Sequence, residues 1–193
     1  ISSADLIKES YSRIENLDQK LHSFITVKNK NIALKEAEEK DKNKNDNSSI
    51  VYGLPFAVKD AYVTKDLRTT AGSKILNNYF SPYNATVVDK LSNAGAILIG
   101  KNNLDSWGHG ASNENTDYQI PHNPWDMERI TGGSSGGSAV AIVTRMASFA
   151  IGEDTGGSIR NPSSICNISW LKVTYGRVSR YGAIAYASSL DTV

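Results

Sequence analysis

The sequence is short of cysteine and histidine, and it has no long apolar run. Cys166 is the single cysteine among 193 residues, and the three histidines are scattered. One thiol excludes an internal disulfide, and the histidines lack the spacing of metal ligands, so we expect no structural metal. No stretch of about 18 apolar residues and no secretory signal pattern occurs, which predicts a cytosolic or organellar protein without membrane contact.

Neither sign of charge is in excess. The 21 basic and 20 acidic residues nearly cancel, and 39% of the residues are hydrophobic. This is an ordinary globular composition, and it produces no global field that would favour nucleic acid, a membrane surface or a highly charged substrate. Evidence for function must therefore come from local motifs.

The first 50 residues have the pattern of a helical lead-in. A capping box at Ser2–Asp5 precedes apolar residues that recur at helical spacing through 6–21. The pattern then predicts a strand at 24–27 and a second helix at 32–39. The polar run at 41–49 is typical of a solvated surface connection without a binding role.

From residue 51 onward, short apolar runs alternate with helical segments. Strands are predicted at 54–58, 96–99 and 149–151, and helices between them at 84–91, with Asn84 as the N-cap, and at 138–146. This alternation indicates an α/β sheet with helices packed on it. The intervening stretch at 102–129 is long and rich in Asn, Asp, Gly and Pro, so we expect it to be functional.

A glycine-rich loop at residues 131–138 reads Thr-Gly-Gly-Ser-Ser-Gly-Gly-Ser and directly precedes a predicted helix. Its glycines allow the backbone to approach another group closely. A flexible linker, a phosphate cradle at the helix N-terminus and a catalytic loop are all compatible with this composition. The Gly-Lys-Ser/Thr ending of a nucleotide-binding loop is absent, and the loop lies between predicted elements rather than between domains.

A second glycine cluster at 152–160 follows the strand that ends at Ile151. A glycine turn between a strand and a helix can present Ser158 outward and align several backbone N–H groups. A nucleophile and an oxyanion hole for acyl transfer require this arrangement. The Asp154-Thr-Gly motif also occurs in aspartic proteases, but those need a second carboxylate site, and the α/β setting does not favour them.

A nucleophilic serine needs a base. His22 lies in the first helical segment, and His109 and His122 lie in the long loop without an acidic partner. Lys59 is the stronger candidate, because it stands at the end of a predicted strand, where active sites commonly open. Taken alone, Lys59 followed by Asp60 is typical of a surface ion pair.

Three motifs occur in order along the chain: Gly53-Leu54-Pro55-x-x-Val58-Lys59-Asp60, the loop at 131–138, and Asp154-Thr-Gly-Gly-Ser-Ile-Arg160. Together they resemble the amidase-signature family, and the resemblance extends along nearly the whole chain. It implies that residues 1–193 are the N-terminal part of a single amidase-signature domain, with a helical lead-in at 1–50 and the catalytic motifs at 51–193. The implied fold is α/β, a mixed β-sheet covered by helices on both faces.

The resemblance also implies a set of catalytic residues. Lys59, Ser134 and Ser158 match the family's basic lysine, its relay serine in a cis peptide and its nucleophilic serine. Ser134 and Ser158 are separated by one predicted helix and one predicted strand, so a βαβ-type return can bring their loops together. The oxyanion hole would be formed by four backbone amides, those of Thr155, Gly156, Gly157 and Ser158.

A lysine accepts a proton only in its neutral form. Its ordinary pKa of about 10.4 must therefore fall toward about 7–8, at a cost of about 1.4 kcal/mol per unit. Burial among the glycine and serine loops would supply such a shift. We therefore predict that Lys59 is buried, whereas an exposed ammonium would exclude it as the base.

Further motifs resemble the branch of the family that hydrolyses glutamine for tRNA-dependent amidotransferases. They are Thr69–Ser73, Gly100–Asp105, Ser112–Asn115, Asn123–Asp126 and Tyr175–Gly182. This implies that ammonia from glutamine passes to the partner subunits B and C and amidates misacylated Glu-tRNA(Gln) or Asp-tRNA(Asn). ATP and Mg²⁺ would be used by the partner, tRNA would contact mainly that partner, and no cofactor would bind to this chain.

Two other functions stay open. A stand-alone amidase acting on another small carboxylic amide would have the same loops and triad, and a non-catalytic scaffold could keep the fold without the activity. The family's amide-recognition residues are expected beyond residue 193.

The segment after Cys166 departs from the family pattern. Residues 167–173 lack two glycines and a proline. If those glycines require a positive φ, Asn167 tolerates it, but Trp170 would strain the backbone behind Ser158. Cys166 itself is expected to be a small buried residue rather than a nucleophile.

Overall fold

A mixed four-stranded β-sheet organises the residues that the structure describes. A computed structural model describes residues 1–46 and 48–193. The strands, in the sheet order β1-β3-β2-β4, are β1 (Phe24–Val27), β2 (Pro55–Lys59), β3 (Ile97–Asn102) and β4 (Phe149–Ile151). The helices are α1 (Ser3–Arg13), α2 (Gln19–Leu21), α3 (Lys30–Asn43), α4 (Thr86–Asn93), α5 (Gly136–Val143) and α6 (Arg160–Ile165). A π-helical segment, Ile14–Asp18, joins α1 to α2, and single 3₁₀ turns occur at Lys74–Leu76 and Ser106–Gly108. Over the two described ranges, no helix has the length and apolarity needed to cross a membrane.

Three parallel strands end at the same edge of this sheet. The central strand β2 runs parallel to β3 and to β4, whereas β1 lies antiparallel on the other side of β3. Lys59 at the end of β2 is paired with Asn102 at the end of β3, and β4 ends at Ile151 beside Val58. Ligands of open α/β sheets bind beyond the carboxyl ends of the strands, so this edge positions the candidate site.

Helices cover both faces of the sheet. Side chains alternate along β2, so Ala57 packs into a cluster with α1, α3 and α5, while Phe56 and Val58 pack into a second cluster with α4. Ile7 of α1 and Val140 of α5 are fully buried in the first cluster. The α/β fold with helices on both faces, expected from the sequence, is confirmed.

The N-terminus of α1 is capped from two directions. The predicted capping box is present, because the Ser2 hydroxyl accepts from the Asp5 N–H at 3.0 Å and the Asp5 carboxylate accepts from the Ser2 N–H at 3.1 Å. The carboxylate of Asp41 also accepts from Ser3 N at 2.6 Å and Ala4 N at 3.0 Å. These bonds satisfy donors that a helix start leaves unpaired.

The prediction that 41–49 is a solvated connection was therefore wrong at its beginning. Helix α3 continues to Asn43 and carries Asp41 against the start of α1. The Asp41 carboxylate caps α1 by accepting a hydrogen bond from Ala4, which lies 37 positions earlier in the chain. Asn47, in the same run, lies outside the described residues.

The sequence also misplaced the boundaries of several elements. Helix α4 begins at Thr86 with Ala85 as its N-cap, and Asn84 instead accepts from Lys65 N at 2.7 Å and donates to Asp89 at 2.9 Å. Asn84 is thus one residue too early to cap the helix. Strand β3 extends to Asn102 rather than to residue 99, and α5 covers 136–143 rather than 138–146.

Residues 167–173, which depart from the family pattern after Cys166, fold without the backbone strain that was expected at Trp170. Asn167 adopts the left-handed conformation with φ 58°, as expected, while Trp170 has no positive φ and is 48% exposed. The expected strain at Trp170 was therefore wrong. Cys166 is buried, and burial raises the pKa of its thiol to about 12, which confirms it as a packing residue.

Replacing Asp41 with alanine tests the second cap on α1. We expect Asp41→Ala to lower the free energy of unfolding by about 1 kcal/mol, because two N–H groups at the start of α1 lose their acceptor. Urea unfolding followed by far-UV circular dichroism measures this loss. Asp46→Ala, at an exposed position just beyond α3, is the matched control; equal midpoints for the two variants would contradict a capping role.

Candidate active site

Lys59 lies at the carboxyl end of β2 with its side chain fully buried. Its Nζ donates a hydrogen bond to the Ser134 Oγ at 2.7 Å. The prediction that Lys59 is buried is confirmed, and the interpretation of Lys59 and Asp60 as a surface ion pair is excluded.

Burial determines the direction in which the pKa of Lys59 is shifted. Removal from water lowers the pKa of Lys59, and the negative charges of Glu153, Asp105 and Asp154 partly oppose this effect. The nearest of these charges is Glu153, whose Oε2 lies 3.6 Å from the Lys59 Nζ. A lowered pKa increases the neutral fraction of the amine, which a general base needs.

Ser134 lies in the glycine-rich loop, and its peptide bond to Gly133 is cis. Its side chain is almost fully buried between Lys59 and the segment at Gly108, where a Cβ would come within 3.8 Å of the Ser134 Oγ. The Ser134 carbonyl accepts from Asp105 N at 3.2 Å. Ser134 is therefore fixed through both its backbone and its hydroxyl.

The loop that carries Ser134 and the loop that carries Ser158 are in direct contact. Ser135 N donates to the Ser158 carbonyl at 3.1 Å, and the Ser135 hydroxyl donates to the Glu153 carbonyl at 3.3 Å. One helix, α5, and one strand, β4, separate the loops in sequence. The predicted return of the chain is confirmed, and the interpretation of the glycine-rich loop as a linker is excluded.

Ser158 is partly exposed and borders a cavity of about 300 Å³. Gly108, Ala111, Gly133 and Tyr186 contribute to the same cavity. Within the described residues, the Ser158 hydroxyl has no hydrogen-bond partner in the protein. The same holds for four backbone N–H groups, those of Thr155, Gly156, Gly157 and Ser158. All four residues line the cavity, so this hydroxyl and these amides lie at its wall without a protein partner in the described part of the chain.

Hydrogen bonds to the Asp154 carboxylate stabilise the conformation of the loop that carries Ser158. Its Oδ2 accepts from Ile159 N at 3.0 Å and Arg160 N at 3.1 Å, and its Oδ1 lies 2.9 Å from the Arg160 Nη2. Burial opposes ionisation, but the hydrogen bonds from Arg160 and Ile159 outweigh it and hold the pKa of Asp154 below its ordinary value. A carboxylate that is occupied in this way does not activate water, so the aspartic-protease interpretation is not supported.

The segment at 186–192 holds the same loop from the other side. The Asp191 carboxylate accepts from the Thr155 hydroxyl at 2.5 Å and from Tyr186 N and Ala187 N at 3.0 and 2.9 Å. Thr192 and Asp154 exchange backbone hydrogen bonds of 2.8 and 3.0 Å. Sequence reasoning missed Asp191, because an acidic residue outside any motif carries no signal of burial.

Asp105, the last residue of the motif Gly100–Asp105, is a further positioning residue to which the sequence assigned no role. It is fully buried, and its carboxylate accepts from Asn113 N at 3.0 Å and Asn115 N at 3.1 Å. Burial raises the pKa of Asp105, and the N–H groups of Asn115 and Asn113 oppose this. The composition of the long loop suggested function, but it did not show that Asp105 organises the loop around Gly133.

The three histidines contact groups other than the hydroxyls of the two serines. His22 and His122 face each other with ring centres 5.6 Å apart, and each ring is next to a backbone carbonyl. The His109 Nδ1 lies 3.0 Å from the Trp107 carbonyl, and its ring contacts Tyr186. In the part of the chain that the structure describes, no histidine forms a hydrogen bond with Ser134 or Ser158. The geometry therefore favours Lys59 over histidine as the base.

Residues 5–193 match the family model described as Amidase. The chain belongs to the amidase family. This amidase-family chain is 51% identical over 193 residues to the A subunit of glutamyl-tRNA(Gln) amidotransferase from Coxiella burnetii (strain Dugway 5J108-111). It is 41% identical to the solved structure of the protein of the same name from Thermotoga maritima, with a TM-score of 0.82. It is also 34% identical to the native peptide amidase from Stenotrophomonas maltophilia, with a TM-score of 0.87.

These relatives are much longer than the chain. The alignments cover 99% of the chain and 40% of the Coxiella protein, 98% and 39% for the Thermotoga structure, and 100% and 41% for the Stenotrophomonas structure. The chain therefore spans about 40% of the length of the curated relatives it matches.

Gly133→Ala tests the close packing of the two loops. A Cβ at Gly133 would collide with the Asp105 carboxylate and lie 2.8 Å from the Asn113 backbone nitrogen. We expect a loss of about 1–3 kcal/mol in the free energy of unfolding, because overpacking moves backbone that cannot easily yield. Chemical unfolding measures the loss. Gly156→Ala is the matched control, since a Cβ there meets nothing within 4 Å; equal losses would contradict the packing argument.

Proposed function

We propose that this chain is the N-terminal part of a glutamine amidohydrolase that supplies ammonia within a tRNA-dependent amidotransferase. The observation that supports it best is the 2.7 Å hydrogen bond from the buried Lys59 Nζ to the Ser134 Oγ, in a loop hydrogen-bonded to the Ser158 loop. In this proposal Ser158 is the nucleophile, Ser134 the proton relay and Lys59 the base.

The proposed reaction begins when neutral Lys59 takes the proton of Ser134, which takes the proton of Ser158 as the Ser158 Oγ attacks the amide carbon. The backbone amides from Thr155 to Ser158 hold the oxyanion, a stabilisation of about 3–4 kcal/mol per donor in comparable sites. The proton then returns to the leaving nitrogen, and ammonia departs. Water releases the acid from the acyl-enzyme by the same proton path.

The proposed destination of the ammonia follows from the relatives' names. Proteins about 50% identical to the chain carry the name of the A subunit of glutamyl-tRNA(Gln) amidotransferase. We infer that the partner subunits B and C receive the ammonia, that ATP and Mg²⁺ are used by the partner, and that the partner makes most contacts with Glu-tRNA(Gln) or Asp-tRNA(Asn). The near-zero net charge of +1 agrees with a small tRNA footprint on this chain. A cytoplasmic or organellar location is part of this proposal.

A stand-alone amidase is the second candidate. Its support is the fold similarity to the Stenotrophomonas peptide amidase, with a TM-score of 0.87 against 0.82 for the Thermotoga protein. Ser158, Ser134 and Lys59 would act identically on another small amide. A scaffold without activity is disfavoured, because burying Lys59 is costly and serves no packing need that an apolar side chain would not meet.

Ser158→Ala tests the nucleophile and the substrate together. The full-length parent protein, co-expressed with its partner subunits, would be assayed for ammonia release from glutamine. We expect Ser158→Ala to abolish release, since loss of the nucleophile in a comparable serine hydrolase costs about 10⁶-fold in kcat. Ser164→Ala, an exposed serine in α6, should retain the activity.

Three results distinguish the candidates. Glutamine hydrolysis that depends on Ser158 supports the role in an amidotransferase. Hydrolysis of other small amides by the parent protein alone, with none of glutamine, supports the stand-alone amidase. Full activity of Ser158→Ala on either substrate would refute the proposed nucleophile.

A further inference from the structure

Glu153 places a carboxylate inside the candidate site. It follows β4 and lies directly before Asp154, and its side chain is 5% exposed against 1% for Lys59. Its Oε2 is 3.6 Å from the Lys59 Nζ, which at the same time donates to Ser134. Its backbone carbonyl accepts from the Ser135 hydroxyl, so the carboxylate is fixed relative to the loop that carries Ser134.

Lys59 and Glu153 face a small set of charged and titratable groups. The negative charges of Glu153, Asp105 and Asp154 all oppose the lowering of the Lys59 pKa by burial. Burial raises the pKa of Glu153, the charge of Lys59 opposes this rise, and Asp191 and Arg180 have smaller effects of opposite sign. Burial also raises the pKa of Tyr62, and the negative charge of Glu153 adds to that rise. Among these groups, Asp154 is paired with Arg160, and Asp105 accepts two backbone N–H bonds, whereas Glu153 contacts the lysine itself.

A comparison within the chain shows why this pair differs from a structural one. Lys101 and Asp60 form a second buried ion pair at 2.7 Å. Asp60 also accepts from the Thr70 N–H and hydroxyl, and Lys101 also donates to Thr69, so that pair ties loops together. The Glu153 carboxylate has no hydrogen bond to a neutral group in the described residues, and Lys59 is its partner.

We propose that Glu153 is a positioning residue for Lys59: its carboxylate orients the Lys59 Nζ toward Ser134 and sets the pH above which the lysine acts as a base. This inference rests on the proposed function of Lys59. Burial lowers the pKa of Lys59 and makes the amine a weaker base, and a carboxylate at 3.6 Å opposes this by stabilising the ammonium. Glu153 thereby keeps Lys59 basic enough to draw a proton from Ser134.

The sign of the effect is fixed by this arrangement. Activity requires neutral Lys59, so it rises with pH through the pKa of that lysine. Removing the negative charge of Glu153 lowers this pKa further. The acidic limb of the pH–rate profile must therefore move to lower pH, and the rate on the plateau must fall because the base is weaker.

Glu153→Gln in the full-length parent protein with its partner subunits tests the proposal. The substitution preserves shape and removes the charge. We expect the acidic limb of kcat/KM for amide hydrolysis to shift by about 1–3 pH units to lower pH. Glu153→Asp, which keeps the charge, should leave the limb close to that of the wild type, and Glu128→Gln, at an exposed position, should not move it.

If the acidic limb of the kcat/KM profile does not move in a folded, active Glu153→Gln variant, the proposal is overturned. A shift of that limb to higher pH would also overturn it. Neither result would affect the proposed function, which fails separately if Ser158→Ala remains active. A merely structural role for Glu153 would lower activity at every pH without moving the limb.

A second measurement follows the Glu153 carboxyl group itself and does not depend on the folding of Glu153→Gln. The carboxyl carbon signal of Glu153 in ¹³C-labelled wild-type protein, assigned with Glu153→Asp, would be followed against pH and compared with Lys59→Met. We expect the Glu153 titration to move to higher pH in Lys59→Met, because the facing ammonium is gone. An identical titration in both proteins would show that the two groups are not coupled, which would also overturn the proposal.

Discussion

The burial of one amine at the end of the central strand constrains the rest of this structure. Lys59 leaves β2 where three parallel strands end, and its side chain is out of contact with solvent. A buried lysine is tolerable only with hydrogen-bond acceptors and with charges that offset its desolvation. Ser134 supplies the acceptor and Glu153 the nearest negative charge. The two loops that carry these groups must therefore lie against each other and against the end of β2.

Acidic side chains fix the loops around that amine. The Asp105 carboxylate accepts hydrogen bonds from the backbone of Asn113 and Asn115 beside Gly133. The Asp154 carboxylate accepts from the Ile159 N–H at the start of α6, and the Asp191 carboxylate accepts from the Thr155 hydroxyl. Each carboxylate satisfies N–H or O–H groups that irregular backbone would otherwise leave unpaired in a buried place. Glycine is needed where these carboxylates approach the chain, as at Gly133, where any Cβ would collide. Rigid loops of this kind can hold a hydroxyl and several amides toward a cavity without further reorganisation.

Sequence reasoning succeeded where the signal was local and failed where a distant contact decided the outcome. The capping box at Ser2, the apolar strands and the left-handed Asn167 all depend on neighbouring residues, and all are present. Asp41 and Asn84 were misassigned, because their partners lie in other segments of the chain. The end of β3 was missed, because Lys101 and Asn102 are polar residues and belong to the strand through their pairing with β1 and β2. Trp170 is unstrained because its own backbone angles are ordinary, a matter that residue type alone does not settle.

The α/β class, the three motif loops and membership of the family can be read from the linear chain, because apolar periodicity and ordered motifs are properties of the residue order. The burial of Lys59, the hydrogen bond from its Nζ to Ser134, and the common location of Glu153, Asp105 and Asp191 follow from the packing of the folded chain. Burial and charge pairing depend on which strands are neighbours in the sheet. A polar residue therefore shows its environment only after distant segments have packed together.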